Sequence, residues 1–228
     1  MSVLTSFMQG DFKNGILRLG VTIFVVFCIL PIHEYAHALI ADKLGDGTAR
    51  LSGRMTINPM AHLDIWGSLM IILVGFGYAK PVPVNMNNFK NPKKGMAVVA
   101  LAGPVSNLIM AIIFILLSII FQLIISVGTE LGFAINLFLS YVAMININLA
   151  LFNLIPIPPL DGSRILNAVL PDRAYYKLMQ YERYIMIGLF LLMVMPRFNF
   201  IWSGLSWLSS AVYTGLFNLL ALPFKAFV

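Results

Sequence analysis

The stretch that decides the fold runs from Ala97 to Ile125 and reads AVVALAGPVSNLIMAIIFILLSIIFQLII. It contains no charged residue, and it exceeds the roughly 20 apolar residues that a helix needs to cross a hydrocarbon core about 30 Å thick. A second uncharged run, Leu131–Ile155, follows after a short turn. We therefore expect two consecutive transmembrane helices.

The rest of the chain has the same apolar character. Of its 228 residues, 60% are hydrophobic and 11% are charged, whereas about 25% of the residues in a soluble domain are charged. These values predict an all-α polytopic membrane protein, a transmembrane helix bundle of about five or six segments. The further apolar segments lie at about 16–41, at 65–79, at 184–195 plus 198–204, and at 205–224.

Two of these segments need separate interpretations. Residues 65–79 are short for a crossing and contain three glycines, so a re-entrant hairpin is as good an interpretation as a full span. The last apolar stretches predict a C-terminal helical hairpin at about 184–226. We expect residues 1–228 to form one domain with its functional core at about 16–170.

Two loop segments look extended. Arg50–Ile57 alternates polar and apolar residues enough to predict a short strand. Lys80–Asn85 reads KPVPVN, in which two prolines remove the backbone N–H groups from one edge, whereas Val82 and Val84 keep theirs on the other. We expect a short membrane-associated β element here, although a stiff connector is the simpler interpretation of KPVPVN.

The basic residues predict the orientation. Loops 42–64, 80–95 and 156–183 hold most of the 15 Lys and Arg residues, and the turn at 126–130 holds none. By the positive-inside rule, the three basic loops are cytoplasmic. The expected location is the plasma membrane of a prokaryotic cell. Because no basic arm stands apart from these loops, nucleic acid is excluded as a partner.

The most specific motif is His33-Glu34-Tyr35-Ala36-His37, inside the first apolar segment. On a helix, positions i and i+4 share one face, so that both imidazoles can bind one metal ion. Glu34 points about 100° away, where it can accept a proton from an attacking water. Ionisable groups at membrane depth are costly and by default functional, although a polar cluster that joins neighbouring helices is the alternative.

A third ligand is needed, because catalytic zinc usually has three protein ligands and one open position. Asp161 follows the uncharged run Leu131–Leu160 and lies in Asn153-Leu-Ile-Pro-Ile-Pro-Pro-Leu-Asp161-Gly162, where prolines must break the helix. Asp161 is also a candidate N-cap for a helix over 162–169, which is compatible with ligation. His62 competes as a ligand, but its polar loop favours a surface histidine.

An amide donor beside the metal would stabilise the oxyanion of a tetrahedral intermediate. Asn107 is the candidate, because it is polar in an otherwise apolar helix. That Asn107 bonds a neighbouring helix backbone is an equal alternative.

Three motifs in the same order resemble the site-2 protease family of intramembrane zinc metalloproteases. They are HEYAH at 33–37, Gly103-Pro104-Val105-Ser106-Asn107 at the head of a later helix, and NLIPIPPLDG at 153–162. The match covers roughly residues 20–170. The loops are too short for an inserted peptide-binding (PDZ) domain, and the chain ends too soon for a nucleotide-sensing (CBS) domain, so we expect a minimal form.

The resemblance implies that His33, His37 and Asp161 ligate one zinc ion and that Glu34 is the general base. It implies an intramembrane zinc endopeptidase whose active site is reached from the cytoplasm. The substrates would be single-span or signal-peptide-like membrane proteins, cut within or next to their transmembrane segments.

In that family a short sheet near the site pairs with the unwound substrate. This makes Val82 and Val84 candidate substrate-binding residues. Asn153, at the head of the NLIPIPPLDG motif, joins Asn107 as a candidate for substrate or oxyanion binding.

Two other classes remain as alternatives. A zinc or other metal transporter would use His33, His37 and Asp161 as a transit site, but it would usually show several polar steps or paired repeats, and transport leaves Glu34 unexplained. An inactive scaffold would not be expected to keep all four residues.

Overall fold

The computed structural model describes residues 3–74, 77–125, 128–195 and 199–224. The predictions that cover 75–76, 126–127, 196–198 and 225–226 lie outside the described residues at those positions. The helices are α1 (Val3–Met8), α2 (Phe12–Lys43), α3 (Thr48–Leu51), α4 (Ile65–Val74), α5 (Pro92–Ile124), α6 (Glu130–Asn153), α7 (Asp161–Leu166), α8 (Asp172–Gln180), α9 (Glu182–Val194) and α10 (Asn199–Ala221). Single 3₁₀ turns lie at Pro59–Ala61, Met86–Asn88 and Leu222–Phe224.

The predicted all-α membrane fold is confirmed. Four helical stretches of the described chain are long and apolar enough to cross a membrane, namely α2, α5, α6 and Ser203–Phe224. The apolar helices α4 and α9 are shorter, with 10 and 13 residues.

The predicted strand at Arg50–Ile57 is wrong, and the described residues contain no strand. The N–H groups that a strand would offer to a sheet are used locally instead. Those of Leu51 and Ser52 donate to carbonyls four residues back, which makes α3, and that of Arg54 returns to Ala49 O at 2.8 Å. Lys80–Asn85 is free of helix, as expected, but it pairs with no strand in the described chain.

α2 carries a π turn, Val25–Ile29, in the middle of its length. The Leu30 N–H donates to Val25 O, five residues back, so this turn contains one residue more than a turn of regular α-helix. The turn comes directly before Pro31, whose ring lacks an N–H and crowds the preceding turn of a regular helix. Regular α-helix resumes ahead of the HEYAH motif.

α2 ends in a Schellman motif. Gly45 has a φ of 106°, a conformation that glycine adopts without a Cβ clash. The Gly45 N–H donates to Asp42 O, and the Asp46 N–H donates to Ala41 O. Asp46 is therefore held in a defined position against the last turn of α2, with its side chain fully buried.

α5 is the central helix of the bundle and packs against α2, α6, α7 and α10. Inside the bundle, Ser118 Oγ donates to Asn136 Oδ1 at 2.7 Å and so joins α5 to α6. The main apolar core lies between α2, α5 and α6 and contains Val21, Val25, Ile29, Phe114, Ile115, Ile119, Val142 and Ala143.

α4 and the chain after it fold back on each other. The Lys80 N–H donates to His62 O at 2.8 Å, which joins the two ends of the segment. A Cβ at Gly67 would lie 2.0 Å from Tyr78 O, and a Cβ at Gly77 would lie 2.0 Å from Gly67 O. Only glycine allows backbones to approach this closely. The described residues of the segment therefore form the two arms of a hairpin.

Candidate metal centre

Three potential ligand atoms converge between α2 and α7. His33 Nε2 and His37 Nε2 are 3.1 Å apart, and Asp161 Oδ2 lies 3.3 Å from each of them. The two histidines are 6% and 7% exposed. These three side chains form a group that could hold a metal ion.

The local folds of α2 and α7 explain this convergence. The i, i+4 spacing places both imidazoles on one face of α2, with their ring centroids 4.7 Å apart. Asp161 is the first residue of α7, and Leu160 is its N-cap. The Leu160 carbonyl accepts the N–H and the hydroxyl of Ser163. The capping alternative is therefore not realised, and the Asp161 carboxylate faces the histidines instead.

α5 orients His37 from behind. His37 Nδ1 lies 2.7 Å from Val99 O, and because a carbonyl only accepts, Nδ1 carries the proton. In the neutral ring, Nε2 then presents a lone pair to the Asp161 carboxylate. Two acceptors that face each other repel, and a cation between them removes the repulsion.

Gly103 of α5 leaves room beside the two rings. A Cβ at this position would lie 2.4 Å from both His33 Cε1 and His37 Nε2. No residue with a side chain fits there without displacing an imidazole. The glycine of the GPVSN motif therefore lets α5 pack directly against the centre.

This donor set fits zinc. With zinc–ligand distances near 2.0–2.1 Å, neighbouring ligands of a tetrahedron are about 3.3 Å apart, and the observed separations are 3.1 to 3.3 Å. Two nitrogens and one oxygen leave a fourth position open, which is the usual composition of a catalytic zinc site.

Glu34 lies next to His33 on α2 and is 9% exposed. Its Oε2 accepts the backbone N–H of Val82 at 2.9 Å. The KPVPVN segment is therefore in direct contact with the HEYAH motif.

Comparison with known proteins identifies the family of this chain. The sequence profile of peptidase family M50 matches residues 21–135 and 124–195. The chain belongs to peptidase family M50, the site-2 protease family. The predicted family resemblance is confirmed.

Two relatives illustrate the match. The chain is 41% identical over 184 residues to the Bacillus subtilis protein named "Putative zinc metalloprotease YwhC", which covers 80% of this chain and 83% of that protein. It is 27% identical over 202 residues to "Putative zinc metalloprotease Rip2" of Mycolicibacterium smegmatis, with 85% and 75% covered. No solved structure matches the chain. The protein is thus a membrane-embedded M50 zinc metalloprotease, and the prediction of zinc is confirmed.

The other candidate residues of this M50 protease differ in their surroundings. Asn107 is 1% exposed, and both polar atoms of its side chain lack a hydrogen-bond partner in the described chain. It lies one helical turn after Gly103, on the same face of α5. Asn153 is the last residue of α6 and is half-buried.

The polar loop around His62 predicted a surface histidine, and this prediction is wrong. It is 1% exposed, and its Nε2 donates to Thr56 O at 2.7 Å. Its backbone carbonyl holds Lys80. His62 therefore closes the hairpin, and it does not belong to the group formed by His33, His37 and Asp161.

Sequence reasoning missed Asp46 and Arg54, which hold the KPVPVN segment. Arg54 Nη2 donates to Lys80 O at 2.7 Å, and Asp46 Oδ2 accepts the Asn85 N–H at 2.7 Å. Burial raises the pKa of the Asp46 carboxyl, but hydrogen bonds from Thr48, Asn85 and Asn88 outweigh it, so that this pKa lies below its usual value. The available signal was an acid directly after the helix-ending Gly45.

Proposed function

We propose that this protein is an intramembrane zinc endopeptidase in which His33, His37 and Asp161 bind one zinc ion and Glu34 is the general base. It would cut peptide bonds within or next to the transmembrane segments of membrane-anchored proteins. The proposal rests on one observation above all, the convergence of three ligand atoms at 3.1 to 3.3 Å. Two of these atoms belong to a helix that is long and apolar enough to span a membrane.

The residues divide the chemistry between them. Bound zinc supplies a Lewis acid that lowers the pKa of its water toward neutrality. The Glu34 carboxylate accepts the proton of the attacking water and later donates it to the leaving amine. The Val99 carbonyl keeps the proton of His37 on Nδ1, and burial excludes bulk water from the reacting groups.

Asn107 is the proposed oxyanion donor. Its unpartnered, buried amide on the Gly103 face of α5 supports the role. We expect Asn107→Ala to lower kcat by roughly 10²–10³-fold, the usual cost of a lost oxyanion donor, at unchanged zinc content. Asn136→Ala is the matched control, because that half-buried amide joins α5 to α6. If Asn107→Ala lowered only the melting temperature, as expected for Asn136→Ala, the donor role would be wrong.

The substrate would pair with the KPVPVN segment. Val82 donates its N–H to Glu34, whereas the Val84 N–H has no hydrogen-bond partner in the described chain. Val84 is therefore the better placed of the two to receive a substrate carbonyl. Asn153, at the end of α6, stays a candidate for contact with the substrate.

The proposed substrates are single-span or signal-peptide-like membrane proteins, reached from the cytoplasmic side of a prokaryotic plasma membrane. The basic loops that precede and follow the centre support this orientation. Lys13 Nζ and Glu130 Oε1 lie 3.3 Å apart, so the start of α2 and the start of α6 are at the same end of the bundle. That end would face outward.

The first experiment compares wild type with Glu34→Gln, using purified protein with its zinc quantified and a single-span reporter. Wild type is expected to cut within the span, and the variant is expected to keep zinc without cutting. Glu130→Gln is the control, because it removes an exposed carboxylate at the far end of the bundle. If Glu34→Gln cut at the wild-type rate, the base would be wrong. If wild type moved zinc across proteoliposomes and cut no reporter, the transporter alternative, which the family does not favour, would replace the proposal.

A further inference from the structure

Residues 80–89, here called the strap, run along the second half of α2 and are fastened at both ends. At the first end, Arg54 Nη2 donates to Lys80 O at 2.7 Å and to Pro81 O at 3.1 Å. The Lys80 N–H is held by His62 O at 2.8 Å.

At the second end, the Asp46 carboxylate accepts hydrogen bonds from two residues of the strap, Asn85 and Asn88, and this contact is here called the latch. Its Oδ2 accepts the Asn85 N–H at 2.7 Å, and its Oδ1 accepts from Asn88 Nδ2 at 2.7 Å. Oδ1 also accepts the N–H and the hydroxyl of Thr48. Asp46 is 0% exposed, and the Schellman motif ties its backbone to α2. The latch therefore fixes the strap relative to the helix that carries the HEYAH motif.

Between the two fastenings, the strap touches Glu34. The Val82 side chain is 6% exposed and packs on Ala38 and Ala49. Its N–H donates to Glu34 Oε2 at 2.9 Å. Further along, Phe89 packs on Ala41 and Val99, next to the carbonyl that orients His37.

We propose that Asp46 and Arg54 are positioning residues, which hold the strap so that the Val82 N–H fixes the orientation of the Glu34 carboxylate. The proposal rests on the proposed function of Glu34 as the general base. A buried carboxylate needs hydrogen-bond donors, and a single donor on Oε2 also defines where Oε1 points. A base must be held within about 0.5 Å of its productive geometry, and a loose loop does not provide this. The two fastenings turn the loop into a rigid support.

The experiment measures amide hydrogen exchange and kinetics on the full chain in detergent. Because Pro81 and Pro83 carry no N–H, exchange over residues 81–85 reports on three amides, those of Val82, Val84 and Asn85. Asp46→Asn has one acceptor oxygen in place of two, so it cannot hold Asn85 together with Asn88 and Thr48. Asp42→Asn is the matched control, since it removes the same charge four residues earlier, from an exposed ion pair with Arg50.

We expect Asp46→Asn to raise exchange over 81–85 by roughly tenfold or more, the usual scale for a lost bond to a charged group. Its kcat should fall by about the same factor and by more than KM rises, because the strap also pairs with the substrate. Zinc content should stay as in wild type. Asp42→Asn should leave both the exchange over 81–85 and kcat at their wild-type values. Glu34→Ala should raise exchange over 81–85 and leave that of 85–89 unchanged.

The possible results test the latch, the positioning role and the proposed function separately. Wild-type exchange over 81–85 in Asp46→Asn would overturn the latch whether or not the protein is a protease. Faster exchange with an unchanged kcat would overturn the positioning role. If Asp46→Asn fails to fold, Arg54→Gln loosens the other end of the strap and must give the same faster exchange over 81–85 and the same fall in kcat. Arg54→Lys must then restore part of the kcat that Arg54→Gln loses. If wild type cuts no substrate, the proposed function fails, while the exchange data still decide the latch.

Discussion

At the scale of single residues, Gly103 sets the distance between α5 and the two histidines. We expect Gly103→Ala to weaken zinc binding at least tenfold, since its Cβ would lie 2.4 Å from His37 Nε2, and lost ligand orientation costs about 10–100-fold in affinity. Alanine would otherwise favour the helix by up to about 1 kcal/mol. Competition with a zinc chelator measures the affinity. Gly20→Ala in α2, where a Cβ would meet nothing within 4 Å, is the control, and equal zinc affinity in both variants would contradict the prediction.

The Asp46 latch predicts a dependence of stability on pH. The folded-state pKa of this carboxyl lies below its usual value of 3.8, so the ionised form stabilises the fold. That contribution is complete above the unfolded-state pKa and is lost as the pH falls through the folded-state pKa. Wild type should therefore melt at a higher temperature than Asp46→Asn by a constant margin above about pH 5, and the margin should shrink below about pH 4. A margin that grows on acidification would contradict this assignment.

At the scale of elements, hydrophobic length predicted the helices well, whereas alternation failed at Arg50–Ile57. The helices α5 and α6 begin and end within a few residues of the predicted bounds, because uncharged runs in lipid have few other solutions. Alternation counts only side chains. In this loop the backbone N–H groups found carbonyls three to five residues back, which the pattern does not contain.

The hairpin that α4 forms with the chain after it depends on the glycine at position 67. A Cβ at Gly67 would meet the backbone oxygen of Tyr78 at 2.0 Å, so Gly67→Ala must push the returning chain away. We expect it to destabilise the protein by about 1–3 kcal/mol, the usual cost of overpacking, and to loosen the Lys80 end of the strap. Thermal melting and amide exchange over 77–85 measure both effects. Gly188→Ala in α9, where the space is open, should melt like wild type. If Gly67→Ala also melted like wild type, the close approach of Gly67 to Tyr78 would be contradicted.

At the scale of the whole molecule, local motifs predicted which residues lie together although they are far apart in sequence. The motifs did not predict the contacts that hold the neighbouring strap in place. His33, His37 and Asp161 stood out because charges at membrane depth are rare. The strap contacts were invisible, since they join a carboxylate and a guanidinium to backbone atoms 26 to 39 residues away. Backbone partners leave no mark in the residue types, so only the packed fold reveals them.

The orientation of the molecule in the membrane determines from which side substrates reach the site. Lys13 pairs with Glu130 at one end of the bundle, and the strap lies along the second half of α2, toward the other. If the positive-inside rule holds, the strap end is cytoplasmic. In a Cys28→Ser background, a cysteine at position 90 should react with a membrane-impermeant maleimide only after cells are opened, and one at position 130 should react in intact spheroplasts. The reverse labelling would place the zinc centre near the outer face and would exclude substrates that enter from the cytoplasm.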